Sequence, residues 1–238
     1  MIKKILLPIL LLVLTNGCSE LQSVADGLGI PSTTMDNATI ASGLREALDK
    51  GIDLQVSKLM QKDGFNKNDM VRILLPSELQ KVDKTLRDIG LGNLADEGIK
   101  ILNRAAEDAV KEASPIFVNA VKEITFNDAK DILLGQDDAA TNYLKQKTQE
   151  ELYAKFNPVI KQSFAKVGAD EIWSNIIERY NSIPLVNKVN PDLTDYVTGE
   201  ALDGVYTMIK VEEKEIRTNT AARTSSLLKS VFALQDKK

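Results

Sequence analysis

Hydrophobic residues recur every three or four positions along most of the chain after residue 38, which is the period of helices with one buried face. The pattern predicts helices at residues 39–62, 76–90, 93–113, 116–124, 126–134, 139–156, 159–167, 170–181 and 192–217, and a terminal helix from Thr224 or Ser225. Only residues 70–75 resemble a strand, and no second apolar run could pair with them, so we expect an extended connector. We therefore predict an all-α fold, with a single bundle-like domain of about ten helices over residues 38–238.

Proline and glycine residues mark the expected helix ends. Pro115 and Pro158 are each predicted to separate two helices, because a proline inside a helix removes one backbone hydrogen bond. Gly199 and Gly204 lie inside the last long helix, where each costs about 1 kcal/mol relative to alanine. Close contact with another helix is the expected compensation.

Residues 125–143 (TFNDAKDILLGQDDAATNY) form the stretch around which the rest of the chain is organised. Thr125 and Asp128 have the spacing of a capping box at a helix start. Gly135 is expected to end that helix in the left-handed conformation. Asp137 or Asp138 is expected to cap the next helix. The segment therefore predicts two helices that meet at one tight turn.

The same segment has an alternative interpretation as a cation site. Asp128, Asp131, Asp137 and Asp138 place four carboxylates within eleven residues, followed by the hydroxyl of Thr141. Hard cations prefer such oxygen ligands. The spacing does not follow an EF-hand loop, so helix capping is the preferred interpretation.

The first residues of the chain have the pattern of a secretory signal peptide. Lys3 and Lys4 precede an apolar run over residues 5–14. Ten apolar residues are too few to cross a bilayer, which takes about twenty. Residues 1–17 are therefore predicted to be a lipoprotein signal peptide that is removed.

Cys18 is the single cysteine of the chain and follows the predicted cleavage position directly. This position is typical of a bacterial lipobox, in which the thiol is acylated and becomes the new N-terminus. Residues 18–37 would then be the acylated N-terminus and a tether. By resemblance to lipoprotein sorting in enterobacteria, Ser19 favours the periplasmic face of the outer membrane. An ordinary signal peptide with an incidental cysteine is the alternative.

The charge balance argues against nucleic acid as a partner. Without Lys3 and Lys4 the chain keeps 28 basic against 34 acidic side chains, a net charge of about −6. Nucleic acid and anionic lipid headgroups would both be repelled on average. Acyl chains on Cys18, rather than a basic surface, would attach the protein to the membrane.

The composition excludes several kinds of catalysis. The chain contains no histidine, so the usual general base and the Ser-His and Cys-His mechanisms are absent. No metal or cofactor is expected. Carboxylate-dependent cleavage of peptidoglycan remains an alternative, although the Glu-Ser and Gly-Leu-Met-Gln signatures of lytic transglycosylases are missing.

Two groups of polar residues lie in otherwise apolar helices. They are Asn103, Arg104 and Glu107, and then Glu213, Arg217 and Arg223. The prediction is that Glu107 pairs with Arg217 or Arg223 and so fastens the C-terminal segment to the core, an arrangement we term a structural latch. A pocket in which the arginines bind a carboxylate or phosphate is the alternative.

The aromatic residues fall mostly at the spacing of helix core positions. The residues at this spacing are Phe117, Phe126, Phe156, Phe164, Trp173, Tyr180, Tyr196 and Tyr206. A solid core is the expected arrangement. A cavity between helices that binds a lipid or another small ligand is the alternative.

Three motifs carry a family resemblance. They are N-x-A-A-E-x-A at residues 103–109, D-A-x-x-I-L-x-G-x-x-x-A-A-T-x-Y at 128–143 and E-x-x-I-R at 213–217. With Arg223, they make residues 40–234 similar to the bacterial lipoprotein family known as domain of unknown function 4197. The resemblance implies no chemistry. The hypothesis is a non-catalytic envelope protein that interacts with another envelope protein or maintains the envelope, with a lipid carrier and a peptidoglycan enzyme as alternatives.

Overall fold

The computed structural model describes residues 35–88, 90–169, 174, 178, 181–182, 184–185, 188, 190 and 192–236. They form α1 (Asn37–Leu59), α2 (Gln80–Asp88), α3 (Gly92–Ala109), α4 (Ala113–Lys122), α5 (Phe126–Leu133), α6 (Ala139–Ala165), α7 (Leu193–Thr218) and α8 (Ser226–Phe232). Short 3-10 turns lie at Ser77–Leu79, Val110–Glu112 and Thr220–Ala222. The described residues contain no strand, so the all-α prediction is confirmed for them.

The expected number of about ten helices is too high for the described residues. They contain eight α-helices, of which six have nine or more residues. One reason is that α6 continues through Pro158. The side chains of Phe156, Ile160 and Phe164 on either side are fully buried, and their packing outweighs the lost backbone hydrogen bond.

The second predicted break is displaced rather than absent. The 3-10 turn Val110–Glu112 separates α3 from α4, and Pro115 lies in the first turn of α4, where the missing N–H has no intrahelical partner to lose.

The predicted helix 170–181 falls almost entirely outside the described residues. So do the signal peptide, Cys18 and the tether up to residue 34.

The connector between α1 and α2 is extended, as predicted. Val71 and Ile73 are buried, whereas Met70 and Leu74 are exposed. The side-chain amide of Asn103 on α3 donates to the Ile73 carbonyl at 2.8 Å and accepts from the Ile73 N–H at 2.9 Å. This amide supplies the hydrogen bonds that a neighbouring strand would provide, which explains why an unpaired strand-like segment can pack into the core.

Helix α7 is the central element of the compact unit formed by residues 37–238. It packs against α6, α1 and α3, and buried residues occur around much of its circumference. Its start follows the sequence pattern, because the Asp192 carboxylate accepts the Asp195 N–H at 3.1 Å. Among the described helices, none is long and apolar enough to cross a membrane.

The two glycines inside α7 have different surroundings. A Cβ atom on Gly204 would lie 2.7 Å from Phe65 Cε1 and 3.3 Å from Val71 Cβ. The close contact at Gly204 is therefore with the α1–α2 connection, not with another helix as predicted. At Gly199 a Cβ atom would meet nothing within 4 Å, so the expected close contact is absent there.

These surroundings predict opposite effects for the same substitution. Gly204→Ala should lower the free energy of unfolding by about 1–3 kcal/mol, because Phe65 must move within a packed core. Gly199→Ala is the matched control in the same helix and should raise it by up to about 1 kcal/mol. Urea denaturation measures both values. Equal effects of the two substitutions would contradict the packing described here.

Candidate functional site

The six candidate polar residues form two separate clusters. Asn103, Arg104 and Glu107 make up the α3 cluster, and Glu213, Arg217 and Arg223 make up the C-terminal cluster. The predicted pair between Glu107 and Arg217 or Arg223 is wrong. Glu107 instead pairs with Arg104, Arg217 pairs with Glu213, and Arg223 pairs with Asp236. The reason is that the Glu107 carboxylate faces the segment after α1, whereas Glu213 and Arg217 face the turn between α5 and α6.

Glu213 binds the start of α6. Its carboxylate accepts hydrogen bonds from the Ala140 N–H at 2.9 Å, the Thr141 N–H at 2.8 Å and the Thr141 hydroxyl at 2.7 Å. The first N–H groups of a helix lack intrahelical partners, and a carboxylate there also interacts favourably with the helix dipole. Glu213 therefore caps α6 from a helix more than seventy residues away in sequence.

Arg217 binds the end of α5. Its guanidinium donates to the Ile132 carbonyl at 2.7 Å and the Leu133 carbonyl at 3.1 Å. It also donates twice to Glu213, at 3.0 and 2.8 Å, and once to the side chain of Gln235, at 2.9 Å. These contacts match the five N–H donors of an arginine side chain. Arg217 therefore has no donor left for a ligand.

The ion pair between Glu213 and Arg217 thus binds the two helix ends on either side of the α5–α6 turn: Arg217 binds the end of α5 and Glu213 binds the start of α6. The anion lies at a helix N-terminus and the cation at a helix C-terminus, which is the arrangement that helix dipoles favour. Glu213 and Arg217 are 8% and 3% exposed. Burial of both charges is tolerated because nearly every polar atom of the pair has a hydrogen-bond partner.

The turn itself follows the sequence prediction only in part. The capping box is present, since the Thr125 N–H donates to Asp128 at 2.9 Å and the Asp128 N–H donates to the Thr125 hydroxyl at 3.2 Å. Gly135 does not adopt the predicted left-handed conformation. A Cβ atom there would lie 2.7 Å from the Asp131 carbonyl oxygen and 2.8 Å from Ala139 Cβ, so the glycine is needed for close approach.

The carboxylates of the turn point to different partners. Asp138 binds Lys210 at 2.8 Å, which holds the pKa of that carboxyl below its usual value. The Thr125 hydroxyl lowers the pKa of Asp128. Asp131 and Asp137 are exposed, and within the described ranges no three His, Cys, Asp or Glu residues converge as a metal site would require. The geometry favours capping over the cation-site interpretation. Asp138 occupies the cap position of α6, but its side chain makes no capping bond there.

Arg223 fastens the C-terminal segment. Its guanidinium donates to the Ile216 carbonyl at 3.0 Å and the Arg217 carbonyl at 2.8 Å, at the end of α7. It also forms two hydrogen bonds with the Asp236 carboxylate, at 2.5 and 2.9 Å. The role expected of a latch is therefore performed by Arg223 and Asp236, without Glu107.

The α3 cluster fixes the segment that follows α1. The Glu107 carboxylate accepts the Phe65 N–H at 3.2 Å and binds Arg104, which also binds Asp63 at 2.5 Å. Asp63 has a positive φ of 69°, which is uncommon for a residue with a side chain. Its hydrogen bond with Lys67, supported by Asn66 and Arg104, lowers the pKa of the Asp63 carboxyl to about 2. These contacts stabilise a backbone conformation that is uncommon for residues other than glycine.

The cavity between α1 and α7, within the described residues, is too small for a lipid. Its volume of about 20 Å³, lined by Leu48, Ile52, Ile209 and Phe232 among others, has room for about one water molecule. The following aromatic residues are buried: Phe117, Phe156, Phe164 and Tyr206. Phe126 and Tyr196 are partly exposed. Trp173 and Tyr180 lie outside the described residues.

Fold and clusters together define an all-helical domain in which buried charged side chains bind the end of α5, the start of α6 and the end of α7. The chain belongs to the family described as Protein of unknown function (DUF4197), whose sequence model matches residues 34–233. The second and third motifs meet where Thr141 binds Glu213, and the first motif contains Asn103 and Glu107. Neither the curated proteins nor the solved structures gave a match.

Several residues that complete the clusters were missed by the sequence analysis. Asp63 and Lys67 support the α3 cluster, and Gln235 and Asp236 bind the arginines of the C-terminal cluster. Each is a polar residue in a surface-like stretch of sequence. Only the spacing of Asp63 and Lys67, four residues apart, gave a local signal of an ion pair.

A double-mutant cycle tests the pairing. Glu213→Gln and Arg217→Gln should each lower the free energy of unfolding by about 3–5 kcal/mol, because each leaves a buried charge without its partner. The double variant should be more stable than the sum of the two losses predicts, by at least about 1 kcal/mol. Glu107→Gln combined with Arg217→Gln is the matched control and should be additive within about 0.5 kcal/mol. If the losses in free energy of unfolding for Glu213→Gln and Arg217→Gln were additive, the two residues would not stabilise the protein as a pair.

Proposed function

We propose that this protein is a non-catalytic lipoprotein of the bacterial cell envelope that acts by binding another envelope protein. In this proposal, acyl chains on Cys18 hold it at the periplasmic face of the outer membrane, and the helical domain is a rigid body that presents a binding surface. Membership of the DUF4197 family is consistent with this role and specifies no activity.

The main support for the proposal is that the buried charged side chains bind the protein's own backbone. Glu107, Glu213, Arg217 and Arg223 each bind backbone groups at helix ends or in a loop. A ligand pocket or catalytic site needs charged groups that are free to contact a substrate. The polar residues singled out by sequence therefore support a structural role, and binding is left to the outer surface.

The alternatives have less support. A lipid carrier needs a cavity that encloses an acyl chain. The cavity between α1 and α7 holds about 20 Å³, and the groove of about 560 Å³ at the α1–α2 connector is lined largely by polar and charged residues, among them Arg72, Gln80 and Glu200. A glycosidase mechanism needs two carboxyl groups about 5–10 Å apart across a substrate cleft. Glu107 and Glu213, the buried glutamates of the described region, face the segment after α1 and the start of α6, respectively.

The proposal is tested in intact cells. Wild-type protein should carry acyl groups by mass spectrometry, sediment with outer-membrane vesicles and crosslink to an envelope protein. Cys18→Ala should remain in the soluble periplasmic fraction, whereas Ser19→Ala, the adjacent control, should stay attached. An exported product without acyl groups would contradict the predicted address. Peptidoglycan turnover by purified protein, or recovery of lipid without a crosslinked protein, would contradict the proposed role.

A further inference from the structure

A groove lies between the α1–α2 connector and the first turns of α7. Its volume is about 560 Å³, within the usual range of ligand sites. Arg72, Leu74 and Gln80 line one side, and Tyr196 and Glu200 line the other, with Lys188 beside them. The groove belongs to neither polar cluster.

One wall of the groove is a backbone edge that is only partly paired. The N–H and C=O of Ile73 both bind Asn103, so the neighbouring N–H and C=O groups of Leu74 and the C=O of Arg72 point the other way, whereas the Arg72 N–H donates to the Asn68 carbonyl at 2.9 Å. The Leu74 carbonyl accepts the Tyr196 hydroxyl at 2.9 Å, which places this edge toward the groove. Over the ranges that the structure describes, the Leu74 N–H and the Arg72 carbonyl have no hydrogen-bond partner. Such an edge is a template for a second extended chain.

The two cations of the groove, Arg72 and Lys188, form no salt bridge within the part of the chain that the structure describes. The carboxylate of Asp96 interacts electrostatically with Arg72 but is bound by Arg87 at 2.7 Å, and the hydrogen bond with Arg87 is the main cause of its lowered pKa. Two such cations at one groove are complementary to an acidic group on a ligand.

Apolar surface also lines the groove. Leu74 is 51% exposed and lines the groove together with Leu75 and Pro76. A peptide side chain can bury this surface, whereas a small inorganic anion cannot. Free backbone groups, cations and apolar surface at one groove are together the features of peptide recognition by strand addition.

We propose that this groove binds an extended segment of a partner protein that carries an acidic side chain. The backbone of that segment pairs with the Leu74 N–H and the Arg72 carbonyl, and its carboxylate lies against Arg72 and Lys188. Glu200 at the opposite wall excludes a second acidic residue there and so orients the segment. Burial, with a further contribution from Asp203, raises the pKa of Glu200, in accord with a carboxyl that lacks a cationic partner. This inference names the binding surface of the proposed function and rests on it.

The test is selection of random heptapeptides from a display library against the full chain in detergent. Acidic sequences should be enriched, and a synthetic peptide of the selected sequence should bind at least tenfold more weakly to Arg72→Glu and to Lys188→Glu. Lys130→Glu is the matched control and should leave binding unchanged. Lys130 is exposed on α5, which lies beside Arg217, about 30 Å along α7 from Tyr196 at 1.5 Å per residue.

A second arm tests the backbone pairing. Methylation of the peptide backbone nitrogens, one at a time, should weaken binding at least tenfold at one position, because it removes the donor to the Arg72 carbonyl. Absence of acidic enrichment, equal binding by Arg72→Glu, or competition by N-acetylglutamate amide as effective as by the peptide would overturn the inference. If crosslinking in cells still captures an envelope protein through another surface, the groove assignment fails while the proposed function stands.

Discussion

The ion pair between Glu213 and Arg217 is the interaction on which the rest of the structure depends. It lies on α7, the central helix, and reaches the two ends of the α5–α6 turn, so one pair sets how three helices meet. Removing two charges from water costs several kcal/mol for each ion, and in this protein the cost is offset by hydrogen bonds to backbone groups that have no other partner. Either residue alone would be a buried, uncompensated charge.

The same device recurs at other helix ends and loops. Arg223 binds the last carbonyls of α7, and Glu107 binds the backbone after α1. Alanine residues that line the helix contacts, such as Ala105, Ala106 and Ala109 on α3, allow the helices to approach closely enough for these side chains to reach. The charged residues that first suggest chemistry are thus part of the framework, and the groove beside the connector lies apart from them.

Local sequence signals predicted the fold well where the interaction is local. The helical periods, the capping box of Thr125 and the cap at Asp192 all depend on residues within four positions of each other. Local signals failed where side chains from another part of the fold determine the structure at a position. Asp138 has the residue type of a cap, yet Glu213 does the capping, and Pro158 is accommodated because its neighbours are buried. The partners of Glu107 could not be identified either, since the helix pattern places it on an inner face without specifying which segment that face meets.

Native-state hydrogen exchange of the Ala140 and Thr141 amides tests the central claim most directly. These N–H groups lie in the first turn of α6 and have no intrahelical acceptor, so their protection depends on the Glu213 carboxylate. We expect both amides to exchange in the wild type only through opening of the helical body. In Glu213→Gln they should exchange much faster than the interior amides of α6. Exchange of both amides at the rate of an unstructured peptide in the wild type would contradict it.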